Sequence, residues 1–200
     1  MTQLNLKGTD IGSPKEVGNT QQLANGYKVT AGGTDIWGVS DQLHFAYSIV
    51  QGDFDLKVRL ESLEQADLYT KAGLMARESL DADGAHAYFM VFPDNSPRNK
   101  NNGGYEFQYR EVNTGDSAAI YPDDYISEPP TFPVNYPNTW LRLQREQEKF
   151  HAWFSEDGVE WTIFTSKTLK LSNNLYVGLA VTSHNENEVV AAVYQDVSLS

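Results

Sequence analysis

The chain has 200 residues, with 27 acidic and 15 basic side chains and a net charge of −12 at neutral pH. This length suits one all-β domain and is short for two. Cysteine is absent from the sequence, which excludes a disulfide framework, a thiolate zinc site and a cysteine nucleophile. Because an acidic chain is repelled by phosphate backbones and anionic lipids, we expect neither nucleic acid nor a membrane as partner.

Hydrophobic periodicity predicts strands rather than helices. Strict alternation of apolar and polar residues marks residues 54–60, which is the period of a half-buried strand. The same alternation recurs in residues 105–110, more weakly in 140–145, and again in 189–199. Residues 175–182 are more continuously apolar, as expected for a strand that is covered on both faces. Turn-forming Gly, Asn and Asp pairs separate these segments, so we predict an antiparallel two-sheet β-sandwich.

Residues 113–138 form the one long stretch without a strand pattern. They include five prolines and the tyrosines Tyr121, Tyr125 and Tyr136. Because proline cannot donate to a strand ladder, we predict a long surface loop here. Loops of this length are often functional, and both an ordered loop over a groove and a plain insertion remain open. No break in composition divides the chain, so we expect a single domain over residues 1–200.

Four stretches occur in an order that is typical of one group of modules. They are residues 35–45, 71–78, 107–110 and 178–185. Together they resemble the bacterial concanavalin A-like, laminin-G-like jelly-roll modules, which recur in large secreted proteins and beside polysaccharide-degrading enzymes. The resemblance runs from about Asp10 to the end and implies an all-β jelly roll with one concave sheet. It implies no settled activity, and the proline-rich stretch departs from the family pattern.

Alternation within three of these strands places polar side chains on one face. Gln108 and Arg110 share a face, Arg77 points to the same side as Met75, and His184 follows the small residues of its strand. If these faces line the concave sheet, the four polar side chains converge. Arginine and glutamine offer fixed donors for sugar hydroxyls or carboxylates. An alternative interpretation is that the arginines form ion pairs with neighbouring carboxylates.

Trp37 adds an aromatic candidate to this set. A tryptophan next to Gly38 is either a platform for sugar C–H groups or a core anchor, and the sequence leaves both open. We therefore predict Arg77, Gln108, Arg110, His184 and Trp37 as ligand-binding residues.

Carbohydrate or polysaccharide is the ligand that this set favours. Our leading hypothesis is a non-catalytic carbohydrate-binding or accessory module. A polysaccharide lyase or glycoside hydrolase in the same groove is the alternative, with His184, Tyr121 or Tyr125 as the base. A structural or adhesion module is the third possibility. We favour binding over catalysis because the sequence shows no paired-carboxylate strand, G-x-S-x-G elbow, P-loop or H-E-x-x-H motif.

The resemblance also implies a structural calcium ion near the chain termini, where it ties the first strand to the last. Asp196, with Asp10 or Glu16, would supply oxygen ligands, although plain surface acids fit these positions too. The family implies a secreted or cell-surface location and further domains of a larger protein as partners. Residues 1–10 predict no signal peptide, which leaves a cytoplasmic location open, and no stretch approaches the ~20 apolar residues of a membrane helix.

Overall fold

The computed structural model describes residues 4–123 and 127–200. Over these ranges no helix is long and apolar enough to cross a membrane. The strands are β1 (Lys7–Ile11), β2 (Asn19–Leu23), β3 (Gly26–Ala31), β4 (Ile36–Trp37), β5 (Ser40–Asp41), β6 (Leu43–Gln51), β7 (Phe54–Leu63), β8 (Lys71–Arg77), β9 (His86–Val91), β10 (Tyr105–Arg110), β11 (Ser117–Ile120), β12 (Thr139–Glu146), β13 (Lys149–Ser155), β14 (Thr162–Thr168), β15 (Asn174–Thr182) and β16 (Val190–Leu199).

Two large antiparallel sheets make up the architecture. The first sheet has the strand order β1-β6-β15-β8-β9-β10-β11, and the second has the order β14-β13-β12-β7-β16-β3-β2. Some neighbours, such as β8, β9, β10 and β11, are consecutive in the chain, whereas others come from distant parts of it, as where β15 lies between β6 and β8. The predicted all-β sandwich is confirmed.

The main core lies between the two sheets, and it explains the alternation in the sequence. Leu56 and Val58 of β7 face Leu74 and Leu179 of the first sheet across this core, and all four side chains are fully buried. Burying such a side chain contributes about 1.5–3 kcal/mol. In β7 the intervening residues point to solvent, so apolar and polar residues alternate strictly along the strand.

The first sheet is also covered on part of its outer face, the face that points away from the main core. A second apolar cluster lies there and includes Phe45, Met75 and Tyr88. The hairpin of β4 and β5 inserts Ile36 into this cluster. Strands β8 and β9 are therefore buried on both faces.

The proline-rich stretch is more structured than the sequence predicts. The expectation of a loop is wrong for residues 117–120, because β11 pairs with β10 there. Its Ser-Ala-Ala-Ile sequence is too weakly patterned to be recognised, and the free edge of β10 specifies the strand instead. Further along, Val134 enters the main core, and the Tyr136 hydroxyl donates a hydrogen bond to the Phe92 carbonyl at 2.7 Å. Tyr125 lies outside the described residues.

Candidate functional site

A cavity of about 450 Å³ opens on the outer face of the first sheet, next to the hairpin. Its floor consists of Lys71 from β8 and of Glu106 and Gln108 from β10. Its rim is formed by the tip of β4 and by segments that connect strands. The rim includes Asp35, Trp37, Tyr69, Asn99, Tyr121 and His184. We call this cavity, with its floor and its rim, the pocket.

Strand geometry explains the composition of the floor. Glu106 and Gln108 are two positions apart on β10, so their side chains point to the same face. The core-facing side of β10 carries Tyr105 and Phe107, which belong to the main apolar cluster. The polar pair is therefore held on the outer face by the burial of its aromatic neighbours.

An ion-pair network ties the rim to the floor. The Lys71 ammonium pairs with Asp35, and His184 Nε2 lies 3.3 Å from the other oxygen of Asp35. On its far side, His184 Nδ1 lies 3.0 Å from Asp67 Oδ1 without hydrogen-bond alignment. Burial opposes ionisation of Asp35, but the hydrogen bond from His184 and the charge of Lys71 outweigh it and lower the pKa of Asp35. The hydrogen bond to Asp35 raises the pKa of His184.

Glu106 is in a different electrostatic situation. Its side chain is 9% exposed, and one of its oxygens accepts a hydrogen bond of 2.8 Å from Gln108 Nε2. Burial raises the pKa of Glu106, and the hydrogen bond from Gln108 only partly offsets this effect. The pocket thus contains one stabilised carboxylate at its rim and one destabilised carboxylate on its floor.

Aromatic rings form much of the pocket wall. Trp37 is 42% exposed at the tip of β4, so it is not a core anchor. The Tyr69 ring lies 5.6 Å from the His184 ring and 5.9 Å from the Phe92 ring. Tyr121 follows β11 and is half-buried at the rim. Such flat faces suit the C–H groups of sugars as well as cations.

The structure brings together some of the residues expected from the sequence. Gln108, His184, Trp37 and Tyr121 all line the pocket. Sequence reasoning missed Asp35, Lys71 and Glu106 as site residues. A signal existed for Glu106 and Lys71, since alternation places each on the outer face, whereas Asp35 lies in a connecting segment where no periodicity applies.

Arg77 and Arg110 lie outside the pocket and are fully buried. Arg110 donates hydrogen bonds of 2.8 Å to both oxygens of Asp41, and Arg77 Nη1 lies 3.5 Å from the same carboxylate. The hairpin causes this arrangement, because it places Asp41 over the ends of β8 and β10, where the two arginines lie. The structure therefore assigns both arginines to an internal ion-pair network, although the partner is Asp41 and not a neighbour on their own strands.

The carboxylates nominated for calcium do not fit a common site. Asp10 Oδ1 lies 2.7 Å from His44 Nδ1, while Asp196 pairs with Arg59 at 2.8 Å in the other sheet. Glu16 lies in the segment after β1. Among residues 4–123 and 127–200, no group of three or more His, Asp or Glu side chains has the arrangement of a metal site. The two aspartates already contact different protein partners in different sheets, so these residues offer no shared oxygen cage.

Comparison with known proteins gives a fold and no closer relationship. No protein-family model and no curated protein sequence matches the chain. A functionally unknown protein from Saccharomyces cerevisiae has a similar structure, with a TM-score of 0.71, 17% identity and coverage of 96% of this chain and 95% of that one. The carbohydrate-binding module CBM66 from Bacillus subtilis has a TM-score of 0.56, 13% identity and coverage of 96% and 94%. Lectin II from Ulex europaeus has a TM-score of 0.57, 7% identity and coverage of 100% and 93%.

The fold is a lectin-like jelly roll. This confirms the predicted concanavalin A-like architecture. At these identities the likeness concerns the fold alone, since one fold hosts many unrelated functions. The laminin-G-like and bacterial affiliation remains an expectation from the sequence.

Proposed function

We propose that the protein is a non-catalytic carbohydrate-binding module and that the pocket is its binding site. The observation that carries this proposal is the combination of an aromatic rim with a polar floor in one recess. Trp37, Tyr69 and Tyr121 offer ring faces, and Gln108 and Glu106 offer hydrogen-bonding groups beneath them. Its volume of about 450 Å³ lies within the range of small-molecule sites.

Each part of the pocket has a role in this proposal. The rim aromatics stack on the C–H faces of a sugar ring and contribute apolar contact. Asp35 and His184 are each held in place by ion pairs, so they present fixed acceptors and donors to hydroxyl groups. This preorganisation lowers the entropic cost of binding.

The structural comparisons support the class of ligand. CBM66 and lectin II are both described as carbohydrate-binding proteins, and both share this fold. Because the likeness concerns the fold alone, the pocket residues carry the proposal and the relatives add to it. Since polysaccharides lie mostly outside the cytoplasm, we also propose a secreted or cell-surface role, beside other domains of a larger protein.

Calorimetric titration against a panel of neutral and charged oligosaccharides tests the proposal. We expect at least one glycan to bind the wild-type protein. Replacing Trp37 by Ala should weaken that binding about tenfold, equivalent to ~1.4 kcal/mol, because the exposed ring is lost from the rim.

Trp161→Ala is the matched control. Trp161 packs against Trp140 on the outer face of the second sheet, away from the pocket, so its loss should leave glycan affinity unchanged. Absence of heat with every glycan would contradict the proposal and leave a structural or adhesion role. An equal loss of affinity in the two tryptophan variants would place the site elsewhere.

A glycoside hydrolase is the second candidate, and one specific observation favours it. The pKa of Glu106 is raised by burial, while the pKa of Asp35 is lowered mainly by its hydrogen bond with His184, against the effect of burial. Two carboxylates with opposite shifts in one pocket are the arrangement of a general acid and a general base. His184 is a poor candidate for a lyase base, because its ion pair with Asp35 favours the protonated ring.

Assays for new reducing ends and for unsaturated products separate catalysis from binding. The binding proposal predicts that a bound glycan is recovered intact after prolonged incubation. Release of reducing ends by the wild-type protein, with loss of that release in Glu106→Gln, would establish the hydrolase instead.

A further inference from the structure

The pocket floor carries a carboxylate that lacks a cationic partner. In the described part of the chain, no Lys, Arg or His forms an ion pair with Glu106. Lys71 on the same floor is bound to Asp35, and Arg98 is bound to Asp94 and to main-chain carbonyls. The charge of nearby Lys71 offsets the burial of Glu106 only in part, so the free protein leaves a requirement here that a ligand can satisfy.

The neighbouring amides leave acceptors unfilled. Gln108 is nine-tenths or more buried and lines the pocket, and its Nε2 is committed to Glu106, so Oε1 remains without a hydrogen-bond donor. Asn101 Oδ1 is also buried without a partner, but Asn101 does not line the pocket, so Gln108 Oε1 is the unfilled acceptor of the floor. Carboxylate and amide oxygens accept hydrogen bonds only. The floor therefore needs a ligand that brings donors.

The overall charge of the chain disfavours anions, and the basic residues of the pocket are already paired with carboxylates. Lys71 and His184 pair with Asp35, and Arg98 pairs with Asp94. Asp35 and Glu106 both line the pocket, and Asp67 stands directly behind His184. The aromatic faces of Trp37 and Tyr69 attract cations rather than carboxylates, and the whole chain carries a net charge of −12. With Arg77 and Arg110 buried elsewhere, no unpaired arginine among the described pocket residues is available for a uronate.

We propose that the pocket binds amino sugars and that the ligand's primary ammonium group pairs with Glu106 on the floor. The sugar part of this inference rests on the carbohydrate-binding function proposed above. The ammonium part rests on the carboxylate without an ion-pair partner and on the unfilled acceptor of Gln108. Hydroxyl groups of the same ligand supply further donors, and Gln108 Oε1 is an acceptor on the floor without a donor of its own.

Proton linkage follows from this pairing. Burial raises the pKa of Glu106 in the free protein, and a bound ammonium group favours the ionised carboxylate. The other titratable groups that line the pocket are Asp35, Tyr69, Lys71, Arg98, Tyr121 and His184. Lys71 and His184 share an ion pair with Asp35, and Arg98 pairs with Asp94. Binding of an amino sugar should therefore favour release of the proton from Glu106, and affinity should fall as the pH is lowered through its raised pKa.

The test compares three ligands with the intact protein by calorimetry near pH 6. They are β-linked glucosamine oligomers, N-acetylglucosamine oligomers of the same length, and spermidine. We expect the glucosamine oligomers to bind at least ~10-fold more tightly than the acetylated ones. Glu106→Gln should remove this preference and retain affinity for the acetylated oligomers, while Glu146→Gln, at an exposed carboxylate of the second sheet, should leave the preference intact.

Each outcome has a distinct meaning. Equal affinity for the two sugars would overturn this inference and leave the proposed function standing, whereas no binding of either sugar would overturn both. Spermidine binding as tight as glucosamine binding, and sensitive to Glu106→Gln, would show a general amine site and overturn the amino-sugar class. If Glu106→Gln does not fold, titration of the wild-type protein with both oligomers over a range of pH decides, because only the affinity for the glucosamine oligomers should fall as Glu106 becomes protonated.

Discussion

Arg110 makes more polar contacts than any other side chain discussed above, and all of them are internal. Besides both oxygens of Asp41, its guanidinium group donates to the carbonyls of Gly38, Gly84 and Gly115 at 3.0–3.1 Å. Arg77 shares the same carboxylate, and burial lowers the pKa of Arg77 to about 10. One carboxylate thus serves two buried guanidinium groups, so the cluster is stable only when its hydrogen bonds are complete.

Replacing Arg110 by Ala should therefore destabilise the protein by about 3–5 kcal/mol, since it leaves buried carbonyls and part of Asp41 without a donor. Urea unfolding measures this change. Arg59→Ala is the control, because Arg59 forms a partly exposed pair with Asp196, a type of pair worth about 1 kcal/mol or less. Similar losses in the two variants would contradict the structural role of Arg110.

We expect His86 to make the free energy of unfolding depend on pH. Its ring is fully buried beside Asp41, Arg77 and Arg110, and burial lowers its pKa from 6.5 to about 4. The unfolded chain takes up a proton as the pH falls below 6.5, whereas the folded chain resists until about 4. The stability contribution of neutral His86 is thus fully present above pH 6.5 and is lost between pH 6.5 and 4, by up to about 3 kcal/mol.

Unfolding free energies at pH 7.5, 6 and 4.5 test this expectation. His86→Gln cannot be protonated, so its stability should fall less over the same range. An identical pH dependence in wild type and variant would show that other groups control the acid response.

At the scale of elements, the hairpin of β4 and β5 has two effects on the first sheet. One end of it places Asp41 over the arginines, and its tip places Trp37 at the pocket. Main-chain hydrogen bonds anchor it on both sides, from Asp41 N to the Ala82 carbonyl and from Ser117 N to the Gly38 carbonyl, each at 2.8 Å. The hairpin thus both closes one end of the outer face and forms a wall of the pocket.

Substitution of Gly38, at the turn of this hairpin, measures how much its backbone conformation contributes to the stability of the protein. Its φ is +58°, and a Cβ atom built there would meet no atom within 4 Å. Gly38→Val should cost about 1–2 kcal/mol for backbone reasons alone, while Gly38→Asn should cost less because Asn tolerates this region. Thermal and urea unfolding compare the stabilities of the two variants. Equal losses of stability would mean that steric contacts of the new side chain, and not the positive φ, determine the cost.

Much of the fold could be predicted from periodicity. The alternation in residues 54–60 and 105–110 marks β7 and β10, and the apolar run at 175–182 marks β15. The assignment of Met75 and Arg77 to the face opposite Leu74 is also confirmed, since Met75 and Leu74 belong to different apolar clusters. β11 was not predictable, because a short edge strand is specified by its neighbour and not by its own pattern.

The candidate site was only half predictable for a related reason. Alternation places Gln108 and Arg110 on one face but does not say which part of that face is covered. The hairpin covers Arg110 and leaves Gln108 at the pocket, and this depends on a tertiary contact between distant segments. Asp35 was missed because it belongs to the covering segment.

At the scale of the whole molecule, aromatic side chains of one sheet pack against aromatic side chains of the other. The Phe89 ring of the first sheet lies 5.2 Å from the Phe164 ring of the second, and the Tyr105 ring lies 5.0 Å from the Phe154 ring in an edge-on arrangement. Neither sheet can lose its structure without exposing the apolar face of the other. Their stabilities are therefore coupled.

We accordingly predict that the chain unfolds in a single transition. Far-UV circular dichroism reports both sheets, while tryptophan fluorescence is dominated by Trp140, Trp153 and Trp161 in or beside the second sheet. The urea midpoints from the two methods should coincide, and Phe164→Ala should lower both equally. Two separate midpoints would indicate that the sheets unfold independently.

The division of the pocket between strands and connecting segments has a consequence for how its selectivity can change. Floor residues such as Gln108 belong to a paired strand inside the first sheet, so altering them disturbs the sandwich. Trp37, at the tip of the β4–β5 hairpin, and Asn99 and Tyr121, in connecting segments, have side chains outside both apolar clusters. Recognition can therefore diversify at the rim while the scaffold stays constant, and a library randomised at these three positions would sample new ligands without loss of folding.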